Sequence, residues 1–264
     1  MATWISTDFT FDNVSSTVHG IQIVKIDNGG LIETPIAGGR NINQDFSMRD
    51  KPWFHSANVL PQEVNLTFTI SATPNAFDTT KRTAVFDWLF SPRVYCDLIS
   101  ADNLNKVYKI IFTSPLQFTT TDLTNGFFSL SAMMYPFAYT TLQTYTNAAT
   151  PTSITINNPQ NVRNIDNTYY YYPIVYADLT STATSFKITN TSDSNRIFEI
   201  TGCELLEELF VDNDLKIINS NQLNVDRFAT LTSKRWLRLV KGSNVLTINT
   251  TADVTITCQY PIMV

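Results

Sequence analysis

The sequence predicts a mainly β chain: an N-terminal β-sandwich or barrel-like domain with one short helix, followed by a second β-sandwich. Three observations carry this. Thr, Asn, Ser and aromatic residues alternate with aliphatic ones, as in antiparallel strands with one face on a core and one in water. The alternating runs are short and separated by turn-prone clusters, a spacing that suits sandwiches and barrels. One segment departs from period two and takes a helical period.

The clearest strand is Val64–Ser71, with Val64, Leu66, Phe68 and Ile70 on one face and Asn65, Thr67, Thr69 and Ser71 on the other. Val18–Ile26, Val107–Thr113, Phe127–Met134, Thr184–Thr189, Arg196–Thr201 and Val254–Tyr260 read the same way, less regularly. Turn signals bound them at Asn28-Gly29-Gly30, Thr124-Asn125-Gly126, Ser192–Asn195 and Lys241–Asn244. The helix is Thr79–Phe90: Val85, Trp88 and Leu89 recur at i, i+3, i+4, Asp78–Thr80 supplies a start, and Ser91-Pro92 a stop. Its aromatic stripe is read as core rather than as a ligand box. No charge occurs between Leu123 and Val162, yet Pro136 and frequent Thr, Gln, Asn and Ser deny the stretch the roughly 20 apolar residues of a membrane span. The polar, proline-containing run Thr144–Thr152 marks a domain boundary near residue 145, giving domains 1–145 and 146–264. Whether the last strand, ending at Pro261–Val264, closes the second domain or returns to the first stays open.

Composition narrows the function classes. At 264 residues, 43% hydrophobic and 16% charged, the chain can bury two cores and is unlike a disordered one. A net charge of −5 argues against tight sequence-independent binding to DNA or anionic membranes, which needs a Lys/Arg surplus. The N-terminus lacks the basic opening and apolar stretch of a signal peptide, so cytosolic synthesis and folding are expected. Cys96, Cys203 and Cys258 are far apart and read as buried free thiols, while His19 and His55 stand apart from any ligand cluster, so neither metal nor cofactor is expected.

Catalytic patterns are sparse. The chain has no Gly-rich phosphate loop, nucleophile elbow or metal-binding helix. Paired carboxylates for glycoside hydrolysis could come from Glu204, Glu207, Glu208 and Asp212. In an extended strand, however, same-face residues four apart are separated by about 13 Å, beyond the roughly 5–9.5 Å that this chemistry needs. Glu207 and Glu208 would face opposite ways, so a solvated strand edge is expected there, and no enzyme. Tyr169–Tyr172 and Trp4, Trp53, Trp88 and Trp236 invite a sugar-stacking reading. Alternation turns about half of the tyrosine run into the sandwich, leaving Tyr170 and Tyr172 as peripheral docking candidates for a protein or a carbohydrate. The stretch Ala37–His55 reads as a long loop in which Arg49, Trp53 and Phe54 are candidates for a subunit interface or fold back onto their own sheet.

The order of these features resembles one known family. Asp27–Leu31, Gly38-Gly39-Arg40, Leu60–Glu63 leading into Val64–Ser71, the Phe86–Leu89 helix, Asp102, Tyr108 and Leu130–Pro136 together resemble the N-terminal domain of siphophage distal tail (Dit) proteins. Tyr172–Val175, Phe186–Asn190, Phe198-Glu199-Ile200, Val211-Asp212 and Leu239–Ile248 are similar to that family's galectin-like C-terminal sandwich. The second half is poorer in Gly than the family pattern, and the Tyr169–Tyr172 run is unusual in it. The resemblance implies a structural virion protein: a homohexameric ring between tail tube and tail tip or baseplate, assembled in the host cytoplasm. In that picture DNA passes through the ring without specific binding, and the second domains dock tip, fibre or receptor-binding proteins. Six copies at −5 each would place about −30 around such a channel, disfavouring phosphate contact. A carbohydrate-binding receptor module of a phage tail is the alternative.

Overall fold

The computed structural model describes residues 4–26, 40–45, 53–71, 77–120, 125–147, 152–164, 168–180, 184–223, 225–232 and 234–263. The chain is mainly β, as its alternation predicts. It divides into two compact units, Met1–Thr141 with Met263–Val264, and Leu142–Ile262.

The first unit holds β1 (Trp4–Thr7), β2 (Phe9–Phe11), β3 (Val14–Ser15), β4 (Ile21–Ile26), β5 (Arg40–Asp45), β6 (Trp53–Val59), β7 (Gln62–Ser71), α1 (Thr79–Phe90), β8 (Cys96–Ser100), β9 (Val107–Thr120) and β10 (Asn125–Tyr139). Eight of these strands form an antiparallel sheet in the order β1-β4-β7-β10-β9-β8-β2-β3. Its register follows from the pattern of β7. Phe68, Leu66 and Val64 stand opposite Phe128, Leu130 and Ala132 of β10, while Thr67 and Ser129 share a hydroxyl hydrogen bond of 3.1 Å. Rings then fill the core, with Phe68 stacked on Phe128 at 5.0 Å and Phe11 edge-on to Phe112 at 5.2 Å.

Helix α1 starts where its cap predicts: the Asp78 carboxylate accepts from the Lys81 backbone N–H at 3.0 Å. It buries Val85 and Leu89. Trp88 is half-buried, its Nε1 donating to the Phe11 carbonyl at 3.2 Å and its ring stacked on His19 at 4.4 Å and on Phe9 at 5.7 Å. The stripe is packing.

Three local expectations change. The strand expected from Val18 begins at Ile21, because Ser16–Val18 form a 3₁₀ turn capped by Ser15, with Gly20 at φ +66°. The long loop expected over residues 37–55 contains β5 and the start of β6, a two-stranded antiparallel sheet of its own. There Asn41-Ile42-Asn43 and Ser56-Ala57-Asn58 are runs of mixed polar and apolar residues that pair with each other's backbone. The connection expected over residues 144–152 likewise contains strand, since β-branched Thr suits a ladder once a partner is present.

The second unit holds β11 (Gln143–Asn147), β12 (Thr152–Asn158), β13 (Ile174–Leu179), β14 (Ser185–Asn190), β15 (Arg196–Thr201), β16 (Glu208–Asp212), β17 (Ile217–Ser220), β18 (Gly242–Ile248) and β19 (Ala252–Cys258). They form two antiparallel sheets, β11-β19-β13-β16-β17 and β12-β18-β14-β15. Period-two burial turns Val175, Ala177, Val211, Val254 and Ile256 of the first and Ile156, Phe186, Ile188, Phe198 and Ile248 of the second into one core. The turn between β14 and β15 sits at Thr191–Asn195, with Ser194 and Asn195 at φ +51° and +54°.

Candidate functional site

Of the interface candidates, Arg49 lies outside the described residues. Trp53 and Phe54 open β6, where their backbones pair with Asp45 and Gln44 of β5; their side chains lie outside those described.

The tyrosine run is described and is engaged within the second unit. Tyr171 bridges Leu239, its N–H donating to the Leu239 carbonyl at 3.0 Å and its carbonyl accepting from the Leu239 N–H at 2.7 Å. Its hydroxyl accepts from the Gln259 backbone N–H at 2.8 Å, and burial pushes its pKa well up. The Tyr170 ring lies 3.6 Å beneath the Arg238 guanidinium, which donates to both Asp193 oxygens at 2.7 and 3.1 Å. Tyr172 packs against the core. Tyr169 is bracketed by cations, its hydroxyl accepting from Arg163 Nε at 2.9 Å and its ring 4.4 Å from Lys241 Nζ. The hydrogen bond from Arg163 holds its phenol below the usual range.

The acidic run is not a solvated strand edge throughout. Strand β16 starts only at Glu208, and Glu207 precedes it at 0% exposure. Arg227 meets it in a bidentate pair, Nε to Oε1 at 2.6 Å and Nη2 to Oε2 at 2.7 Å, and its third arm donates to the Gly202 carbonyl at 2.7 Å. Ser220 Oγ donates to Oε1 at 2.6 Å and the Glu204 N–H to Oε2 at 2.9 Å. Burial pushes this carboxyl up, but the bonds from Ser220, Arg227 and Glu204 together outweigh it and leave the pKa lowered. Chemically this is a saturated ion pair with no lone pair left for a substrate. Sequence reasoning missed it because Arg227 lies 20 positions away with no periodic relation; the available signal was an acid set among Leu205, Leu206 and Leu209.

Cys96, Cys203 and Cys258 are free and buried, and burial pushes the Cys258 thiol up to about 11. A shallow hollow along α1, lined by Thr79, Thr80, Thr83, Ala84 and Asp87, presents a single carboxylate. Among the described residues no group of three or more His, Cys, Asp or Glu side chains could hold a metal ion, and no helix is long and apolar enough to cross a membrane.

Comparison with known proteins places this fold. The phage tail protein N-terminal domain model matches residues 5–133, and the phage tail C-terminal domain model matches residues 137–258. Among solved structures, the Dit protein of phage SPP1, described as a paradigm of the hub adsorption apparatus in phages infecting Gram-positive bacteria, aligns at TM-score 0.63 and 10% identity, covering 96% of this chain and 99% of that one. A chain of the phage P2 baseplate in its activated conformation with Ca aligns at TM-score 0.56 and 7% identity over 96% and 98% of the two chains. The Sr-activated form aligns at TM-score 0.55 and 7% identity over 97% and 98%. No curated protein sequence matches. With one phage tail domain model on each half, the chain belongs to the phage tail proteins, and its fold is like that of the SPP1 Dit protein from end to end.

Proposed function

We propose that this chain is the hub of a long-tailed phage, a homohexameric ring between the tail tube and the tip or baseplate. The ring lets DNA pass and docks tip, fibre or receptor-binding proteins. The observation that carries this is the end-to-end likeness to the SPP1 hub protein, 96% of one chain against 99% of the other, together with a phage tail domain model on each half. Ring closure suits open sheets of this kind, whose edge strands a neighbouring subunit can cover. The role is structural rather than enzymatic, and Glu207 supports that reading because both of its oxygens are committed to Arg227 and Ser220. A sugar site on Tyr170 and Tyr172 draws less support: one ring face carries Arg238 and the other side chain packs inward.

Native mass spectrometry of the purified chain, alone and with tube and tip proteins, tests the proposal. Six copies per assembly is the expected result. A chain that stays monomeric and joins neither partner would overturn it.

A further inference from the structure

One end of the second unit is built to present apolar side chains to solvent. The Glu207–Arg227 pair ties together two loops, 202–207 ahead of β16 and 221–230 after β17. Asn221 adds to the tie, its N–H donating to the Glu208 carbonyl at 3.2 Å and its side-chain amide to the Leu206 carbonyl at 3.4 Å. The first loop carries Leu205 and Leu206 at 50% and 68% exposure, and the second carries Leu223, Val225 and Phe228 at 87%, 37% and 50%. Leu206 is held at φ +59°, a left-handed conformation that is costly for a residue with a Cβ, and its side chain still faces water. A buried ion pair is weak as a source of stability; its best use is to fix one arrangement. Here it holds together two loops that expose apolar side chains, with Phe228 also packed on Trp236 at 6.2 Å, and exposed apolar side chains brought together mark an interaction site.

The exposed charges on the two loops are of one sign, Glu204 on the first and Asp226 on the second. Glu208 and Asp178 are exposed too, with Asp178 directly across from Glu208 in the β13–β16 register. Like charges directly opposed in a sheet are unfavourable unless something else compensates them. Within the two loops the sole cation is Arg227, and it is spent on Glu207. We propose that this loop cluster docks a second tail protein whose surface offers an apolar socket ringed by Lys or Arg. The inference rests on the hub reading and assigns the docking role to a particular surface, distinct from Tyr170 and Tyr172.

A photo-cross-linking amino acid at Val225, in chain assembled into phage tails, tests it, with the linked peptides identified by mass spectrometry. The expected product joins this chain to a different tail polypeptide through a Lys- or Arg-rich segment. Adding Leu206→Ser and Leu223→Ser should lower its yield about ten-fold or more, as losing buried anchors does, while the thermal melt and copy number stay unchanged. A link only to another copy of this chain, a link to an acidic or neutral segment, or no link from chain present in the tails would overturn the docking surface while leaving the hub intact. Absence of the chain from tails would overturn both.

Discussion

Glu207 and Arg227 sit at 0% and 3% exposure, with both carboxylate oxygens and all three guanidinium nitrogens engaged in hydrogen bonds, so removing one partner strands the other. Glu207→Gln or Arg227→Met should each cost about 3–5 kcal/mol, whereas Glu207→Leu with Arg227→Met should recover most of that, because two apolar side chains leave no orphan charge. Urea midpoints of the three variants decide it. The same pair sets a pH dependence. Glu207 has a folded pKa below its ordinary value of 4.5, so as pH falls the unfolded chain takes up this proton first. Its contribution is complete above about 4.5 and is lost as pH drops through the lower, folded value. Melts from pH 7 to pH 3 should therefore fall more steeply below 4.5 for the parent chain than for Glu207→Gln. The thiols follow from burial: a thiol reagent at pH 8 should leave Cys96, Cys203 and Cys258 unmodified in the folded protein and modify all three in denaturant.

Elements differ in how openly they announce themselves. Helix α1 was legible to the residue, since capping by Asp78, the i, i+3, i+4 stripe and the stop before Pro92 are all local chemistry. Asp78→Ala should cost about 1 kcal/mol as a lost cap. Leu89→Ala, at 1% exposure, should cost about 2–5 kcal/mol as a cavity; thermal or urea denaturation separates the two. Strand β7 was equally clear, because one face must meet Phe128, Leu130 and Ala132. The β5–β6 pair and the strands flanking residues 148–151 were not. Their residues are polar on both sides or mixed, and only the presence of a partner strand makes extended structure favourable for them. At Tyr169–Tyr172 alternation foresaw that some rings turn inward, but not that Arg238 would take the Tyr170 face.

At the scale of the whole chain, a net charge of −5 agrees with the proposed hub, a subunit that would join others without gripping nucleic acid. The proposed loop cluster belongs to this scale, since apolar side chains at its centre supply affinity and surrounding carboxylates supply orientation. Raising the salt concentration should slow its association with a basic partner, read as a falling on-rate in a binding assay with the partner that cross-linking identifies.

Composition, alternation and caps by themselves determined that the chain is mainly β with the helix at Thr79–Phe90, because these depend on neighbours a few positions apart. Feature order pointed to the tail family. Tertiary structure alone decided which acid is buried, which tyrosine face is covered and which leucines stay in water. Each of those depends on residues brought together across tens of positions, Arg227 to Glu207 and Arg238 to Tyr170, and hydrophobic periodicity carries no information about such pairs.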